Sequence, residues 1–208
     1  MARRALCVTV VAVLGTTLTA CQRGDEGPAA DLAAFRAVIA AAGEIDYTPL
    51  RSPGEAVQAS DVIVLGEVVG ATLANHVVDS AADRETRYVI LTVAVKTVLA
   101  GILPEPAGSI VYVALRAAGI DPATEIEEAV PRIRTLLILA ERSDSQVDGE
   151  FEGLPEKFYA PFTDGAWFET GDSFDGLWVG RTEIEERWGE TLESLDDLAE
   201  VLAMTAAQ

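Results

Sequence analysis

The strongest constraint on the fold is a series of β-branched, apolar segments in the middle of the chain. Within residues 86–99, every second position is apolar: Val89, Leu91, Val93 and Val95. This period of two is typical of a strand that buries one face. Residues 61–70, 109–115 and 135–141 have similar composition. The pattern therefore predicts four strands, and Gly66 inside the first of them predicts a bulge or a sharp bend.

Shorter signals complete the β-rich part. Residues 166–169 and 177–179 are short strand candidates, separated by turn-forming glycine and aspartate. We expect Asn75 and His76 to form the tip of a hairpin between the first two strands.

Helices are expected on both sides of this region. Residues 31–42 have helical composition, with Asp31 as the N-cap, and residues 53–59 and 122–130 are shorter candidates. Near the carboxyl end, Thr182 and Glu185 fit a capping box. Apolar residues then follow helical spacing, so we expect an amphipathic C-terminal helix, split at Gly189 and capped again at Ser194.

These elements predict a mainly β protein with flanking helices, an α+β arrangement in one globular domain at residues 31–208. The strands would form a small antiparallel barrel or sandwich of about five strands. The chain has two cysteines, Cys7 and Cys21. We expect both to be used or removed at the amino terminus, so the domain must fold by packing alone, without disulfides or a cysteine-based metal site.

The order of the middle segments resembles small exported barrels of the OB type, such as netrin-like and metalloprotease-inhibitor-like domains. The resemblance covers residues 59–142 and includes the glycine bend at Gly66 and the turn Val98-Leu99-Ala100-Gly101. It implies a closed barrel. Inhibitors of that class use a disulfide-bonded amino-terminal cysteine, which this chain lacks, so the resemblance implies no inhibitory residues here.

The amino terminus resembles the signal sequence of a bacterial lipoprotein. Arg3 and Arg4 precede a short apolar run, and the sequence Leu18-Thr19-Ala20-Cys21 is similar to a lipobox. The resemblance implies a signal peptide at residues 1–20, cleavage between Ala20 and Cys21, and acylation of Cys21. Residues 21–30 would then be a lipid-anchored tether. The alternative is an uncleaved membrane helix, although a spanning helix needs about 20 apolar residues.

The net charge limits the classes of partner. The chain has 34 acidic residues against 15 lysines and arginines, for a formal charge of −19. Such a chain repels phosphate backbones, so we expect no nucleic-acid partner. The acidic surface has two interpretations: a cation-binding or basic-partner surface, and, favoured here, an exterior that keeps the protein soluble.

Candidate catalytic and metal-binding residues are few. His76 is the single histidine, and no nucleophile motif accompanies it, so we expect no catalytic triad. Asp144 and Asp148 begin a segment like a calcium loop, but the third position is Gln146 and the twelfth is Pro155. We therefore prefer a turn there and expect no cofactor.

Aromatic residues concentrate late in the chain. Trp167 and Trp178 belong to a group that could line a groove for a ligand, whereas core packing beneath the terminal helix is the alternative. The leading hypothesis is a lipid-anchored binding or interaction module of the cell membrane, facing outside the cytoplasm and without enzymatic activity. Its partner would be an unknown protein or small molecule. The alternative is an envelope enzyme that depends on acidic residues and binds calcium.

Overall fold

A computed structural model describes residues 27–40, 48–77, 87–103, 110–117, 126–143 and 150–208. The helices are α1 (Pro28–Ala40), α2 (Pro53–Ala59), α3 (Ile126–Ala129), α4 (Arg181–Trp188) and α5 (Leu195–Ala206). The strands are β1 (Val62–Val77), β2 (Tyr88–Gly101), β3 (Ile110–Arg116), β4 (Arg134–Ser143), β5 (Glu150–Glu152), β6 (Lys157–Glu169) and β7 (Phe174–Gly176). The protein is mainly β with flanking helices, as predicted.

Five strands of the sheet close into a ring. Their order is β2-β3-β6-β4-β1, and β1 pairs with β2 to complete the circle. Four of the five contacts are antiparallel, and β3 runs parallel to β6, with Val113 opposite Tyr159. The short strands lie at the margins, where β5 pairs with β1 and β7 pairs with β6.

The interior of the ring holds the larger part of the core. Alternate side chains of the five strands point inward, and α1 and α3 add buried residues to the same cluster, among them Leu32, Phe35 and Ile126. Phe35 contacts Phe168 edge to face, with ring centroids 6.4 Å apart. Burial of alternate positions explains why period-two alternation in the sequence predicted these strands correctly.

Helices cover the outer side of β1, β4 and β6. The outward residues Ile63, Leu136, Ile138 and Trp167 are fully buried, and each lies between inward neighbours in the sequence. We call this surface the helix-covered wall. The residues that cover it are Leu50, Ala56, Ile184, Trp188, Leu192, Leu195, Leu198 and Leu202.

A smaller cluster covers one end of the outer side of β2 and β3. Ile90 and Ala114 are opposite each other and are buried together with Ala74 and Phe158. The chain segment after β5 contributes Leu154 to this cluster.

The predicted strands are confirmed, with shifted ends. The register of β1 against β2 shifts between Leu65 and Gly66, which confirms the predicted bulge. A Cβ atom at Gly66 would lie 2.6 Å from the carbonyl oxygen of Ala94, so the close approach of β2 requires glycine.

The predicted hairpin tip at Asn75 and His76 was wrong, because β1 continues through both residues and pairs them with β5. Pairing outside the local pattern extended the strand.

Two further strand predictions need correction. Residues 177–179 form bends, and the short strand lies just before them at β7. The strand predicted at residues 166–169 is the end of β6, which begins at Lys157. Pro161 lies inside β6 opposite Leu139, and a shift in register follows it. Proline and the register shift interrupt the alternation that would have revealed the whole strand.

The helices follow the predictions in part. The prediction of α2 is confirmed, with Ser52 as its N-cap, and α5 is the predicted C-terminal helix. Of the predicted helix at 122–130, residues 126–129 form α3, and residues 122–125 lie outside the described ranges. None of the helices in the described ranges is long and apolar enough to cross a membrane.

Helix α1 begins at Pro28, so residues 28–30 of the predicted tether are helical and Asp31 lies in the first turn. Proline is favoured at the first helical position, since its missing N–H would have no partner there.

The two capping predictions have different outcomes. Ser194 and Asp197 form a reciprocal capping box at α5, and Gly189 ends α4 in the left-handed conformation with φ of 70°. The capping box of Thr182 was wrong, because α4 begins at Arg181 after Gly180. Asp175 instead accepts a hydrogen bond from the Arg181 N–H at 3.1 Å. A carboxylate from β7 thus accepts from the first N–H of the helix, where the local sequence predicted a threonine cap.

Candidate contact surface

The outer side of the ring is open along two rows of residues on β1, β2 and β3. The strand register places Gly70, Thr92 and Tyr112 in one row and Glu67, Ala94 and Ile110 in the next. We call these six residues the open rows. Tyr112 and Ile110 are 43% and 45% exposed, although both are large and apolar. Val69, beside Gly70 at a bulge in β1, is 41% exposed.

The side chains of the open rows differ in size. Tyr112 and Ile110 are large and exposed on β3, and Val69 adds an exposed apolar side chain on β1. Gly70 and Ala94 are the smallest residues of the two rows, with Thr92 and Glu67 beside them.

The missing side chain at Gly70 is not required by the fold. A Cβ atom there would meet only the Thr92 Cβ, at 4.0 Å, and Gly70 does not have a positive φ. This differs from Gly66, where backbone blocks a side chain. The space above Gly70 is therefore available to an external group.

The charges beside the open rows are few and of opposite sign. Lys96 lies 3.9 Å from Glu67, and both side chains are more than half exposed. Such a pair contributes little to stability because water and salt screen it. By contrast, α4 and α5 and their connection carry the exposed acids Glu183, Glu186, Glu190, Glu193, Asp196 and Glu200. The open rows thus have one acid in a chain of net charge −19.

A buried polar cluster lies on the opposite side of the ring, between β6 and the segments that cover the helix-covered wall. Residues 162–165 of β6 lie opposite Ile138 alone and bulge outward. The bulge carries Asp164, whose Oδ2 accepts hydrogen bonds from the Leu50 N–H at 2.8 Å and from Arg187 Nη1 at 2.6 Å. Arg187 also pairs with Glu183 on the same helix. The cluster joins β6, α4 and the segment before α2.

Burial raises the pKa of the Asp164 carboxyl above its ordinary value. The hydrogen bonds from Leu50 and from its own backbone, and the charge of Arg187, act in the opposite direction. All the space around this carboxylate is taken by protein, since its side chain is 0% exposed. Asp164 therefore links β6 to α4 and to the segment before α2, and it is not accessible to a substrate.

The two tryptophans proposed for a groove have different positions. Trp167 is 0% exposed, contacts Phe174 edge to face at 5.6 Å, and donates its indole N–H to the Asp164 carbonyl at 2.9 Å. It packs in the core and lines no open groove. Trp178 is partly buried and packs against both large core clusters.

Most of the remaining predicted site residues lie outside the described ranges. Ala20, Cys21, Asp144 and Asp148 lie outside the described residues. His76 lies in β1 with its backbone paired to Phe151. Within the described ranges, no three His, Cys, Asp or Glu side chains are grouped so that they could hold a metal ion.

Comparison with known proteins finds no match, whether among protein-family models, curated proteins or solved structures.

Sequence reasoning missed the open rows, although a signal was present. The segment IVYVAL is apolar at every position, so β3 has no polar face. In a small antiparallel sheet, the second apolar face is either covered by another element or stays partly exposed. The sequence alone did not show that α5 and the segment after β5 would leave part of this face uncovered.

Proposed function

We propose that the protein is a lipid-anchored interaction module outside the cytoplasm, without enzymatic activity, and that the open rows are its contact surface. The observation that carries the proposed contact surface is the exposure of Tyr112 and Ile110 on a strand whose next outward residue, Ala114, is buried. Aromatic and aliphatic side chains on a small, charge-poor surface are typical of the centre of an interface.

The order of the ring supports an OB-type barrel. Five strands close in a Greek-key order, and the face formed by β2 and β3 carries the open rows. In OB-type barrels, the face of the second and third strands is a common binding surface. The net charge of −19 favours a partner other than nucleic acid.

The anchor rests on the resemblance of residues 18–21 to a lipobox. Two acyl chains on Cys21 would hold the protein firmly, since each buried methylene contributes about 0.8 kcal/mol. An acidic domain has no attraction of its own to anionic lipid. We therefore expect the Cys21→Ala variant to lack the lipid mass and to leave the membrane fraction on washing with carbonate. Retention of that variant in the membrane would instead support the uncleaved helix.

The contact surface is tested by crosslinking in intact cells. With the photoreactive residue p-benzoylphenylalanine in place of Tyr112, irradiation should give one discrete covalent adduct. The same residue in place of Met204, which is 54% exposed on α5, is the matched control and should give none. No adduct from position 112, or equal adducts from both positions, would contradict the proposed surface.

A further inference from the structure

We infer that the open rows bind the open rows of a second copy of this chain, so that the module is a two-fold dimer. The inference rests on the proposed function, which makes this face the contact surface, and it names the partner. A two-fold interface must be complementary to itself, because the same residues occur on both sides.

The shape of the open rows meets this requirement. Tyr112 and Ile110 are large and exposed on β3, whereas Gly70 and Ala94 are the smallest residues of the open rows. In the inferred dimer, a two-fold rotation places Tyr112 of one copy over Gly70 of the other, and the reverse contact follows by symmetry. The fold does not need the missing side chain at Gly70, since a Cβ there meets nothing closer than 4.0 Å. A reciprocal contact with a second copy uses this space.

The charges of the open rows also allow a self-complementary interface. Two chains of net charge −19 repel each other, and the repulsion is smallest where acids are scarce. The open rows contain a single acid, Glu67, and Lys96 lies beside it at 3.9 Å. This separation is long for an ion pair. Lys96 of each copy can therefore pair with Glu67 of the other without loss of a strong contact.

Sedimentation velocity of the full chain in density-matched detergent tests the inference. We expect a reversible dimer with twice the protein mass of one mature chain. Tyr112→Ala removes the exposed aromatic ring, and Gly70→Val fills the space at Gly70. Each should raise the dissociation constant about tenfold or more, as loss of a central interface contact does. Met204→Ala is the control and should leave the dissociation constant unchanged.

The Gly70→Val variant separates a lost contact from a damaged fold. A β-branched residue suits a strand better than glycine does, so at a concentration where both proteins are monomeric this variant should unfold at the same or a higher temperature than the unchanged protein. At higher concentration it should dimerise less. A chain that stays monomeric at all concentrations would overturn the inference. A dimer that neither variant weakens would overturn it equally.

Crosslinking of the purified chain distinguishes this inference from the proposed function. With p-benzoylphenylalanine at position 112, we expect a covalent dimer in the purified protein and the same product in cells. An adduct with a different protein, formed only in cells, would overturn the second copy as partner and leave the contact surface intact. No adduct in either setting would overturn both.

Discussion

The helix-covered wall and the open rows are parts of one ring, and helices bury the first while the second stays exposed. Both consist of outward side chains on strands whose alternate residues pack inside. On the helix-covered wall, α2, α4 and α5 bury residues such as Trp167 and Leu136 completely. On the open rows, Tyr112 remains 43% exposed. Strand alternation alone does not distinguish an outer face that helices bury from one that stays exposed.

The two surfaces differ in the side-chain hydrogen bonds and ion pairs that they form. The helix-covered wall has side-chain bonds that cross between elements: Asp164 to Leu50 and Arg187, and the indole N–H of Trp188 to the Leu50 carbonyl at 2.9 Å. In the open rows, the ion pair given by the described residues is the long, exposed one of Lys96 and Glu67. We therefore expect substitutions on the wall to change stability and substitutions in the open rows to change association.

Trp167→Ala should have the largest effect on stability. It removes a fully buried indole, its contact with Phe174 and its hydrogen bond to Asp164. Truncation of a buried tryptophan costs about 3–5 kcal/mol. Urea unfolding followed by circular dichroism measures the loss. A change below about 1 kcal/mol would mean that the wall is not part of the stabilising core.

Arg187→Gln should cost about 3 kcal/mol near neutral pH, as breaking a buried ion pair does. Arg187 is one of the groups that lower the pKa of Asp164, so its removal raises that pKa further. A carboxyl whose pKa is higher in the folded than in the unfolded protein favours folding as the pH falls.

The cost of Arg187→Gln should therefore shrink as the pH drops through the pKa of Asp164 in the variant. Unfolding curves of the variant and the unchanged protein, recorded side by side from about pH 8 to about pH 4.5, give this difference. A cost that is constant or grows on acidification would show that Arg187 does not act on Asp164.

Ser194→Ala should cost about 1 kcal/mol, because the Ser194 hydroxyl caps α5 and accepts from the Asp197 N–H at 3.2 Å. Thr182→Ala is the matched comparison. Thr182 is exposed inside α4 and caps nothing, so its loss should be within about 0.5 kcal/mol of zero. Thermal unfolding of both variants is the measurement, and equal costs would restore the capping box predicted from the sequence.

Tyr112→Ala should cost about 1 kcal/mol or less, since the side chain is partly exposed in the isolated chain. The measurement is urea unfolding at a concentration low enough to keep the chain monomeric. A cost comparable to that of Trp167→Ala would erase the distinction between the two surfaces.

Much of the fold was predictable because its determinants are local. Alternation at Val89, Leu91 and Val93 specified β2, and the serine at 194 specified the start of α5. The errors arose where distant residues decide. Pairing with β5 extended β1 through His76, and Asp175 replaced Thr182 at the start of α4. The open rows were not predictable, because their exposure depends on which strands the helices cover.

The most direct test of the open rows as a contact surface is thiol labelling. In the proposed mature protein Cys21 is acylated, so Val69→Cys, beside the open rows, introduces the single free thiol and leaves Tyr112 in place. We expect a maleimide to label it several-fold more slowly in isolated membranes than in dilute detergent, whereas Met204→Cys reacts at the same rate in both. Equally fast labelling of Val69→Cys in membranes and in dilute detergent would contradict the account.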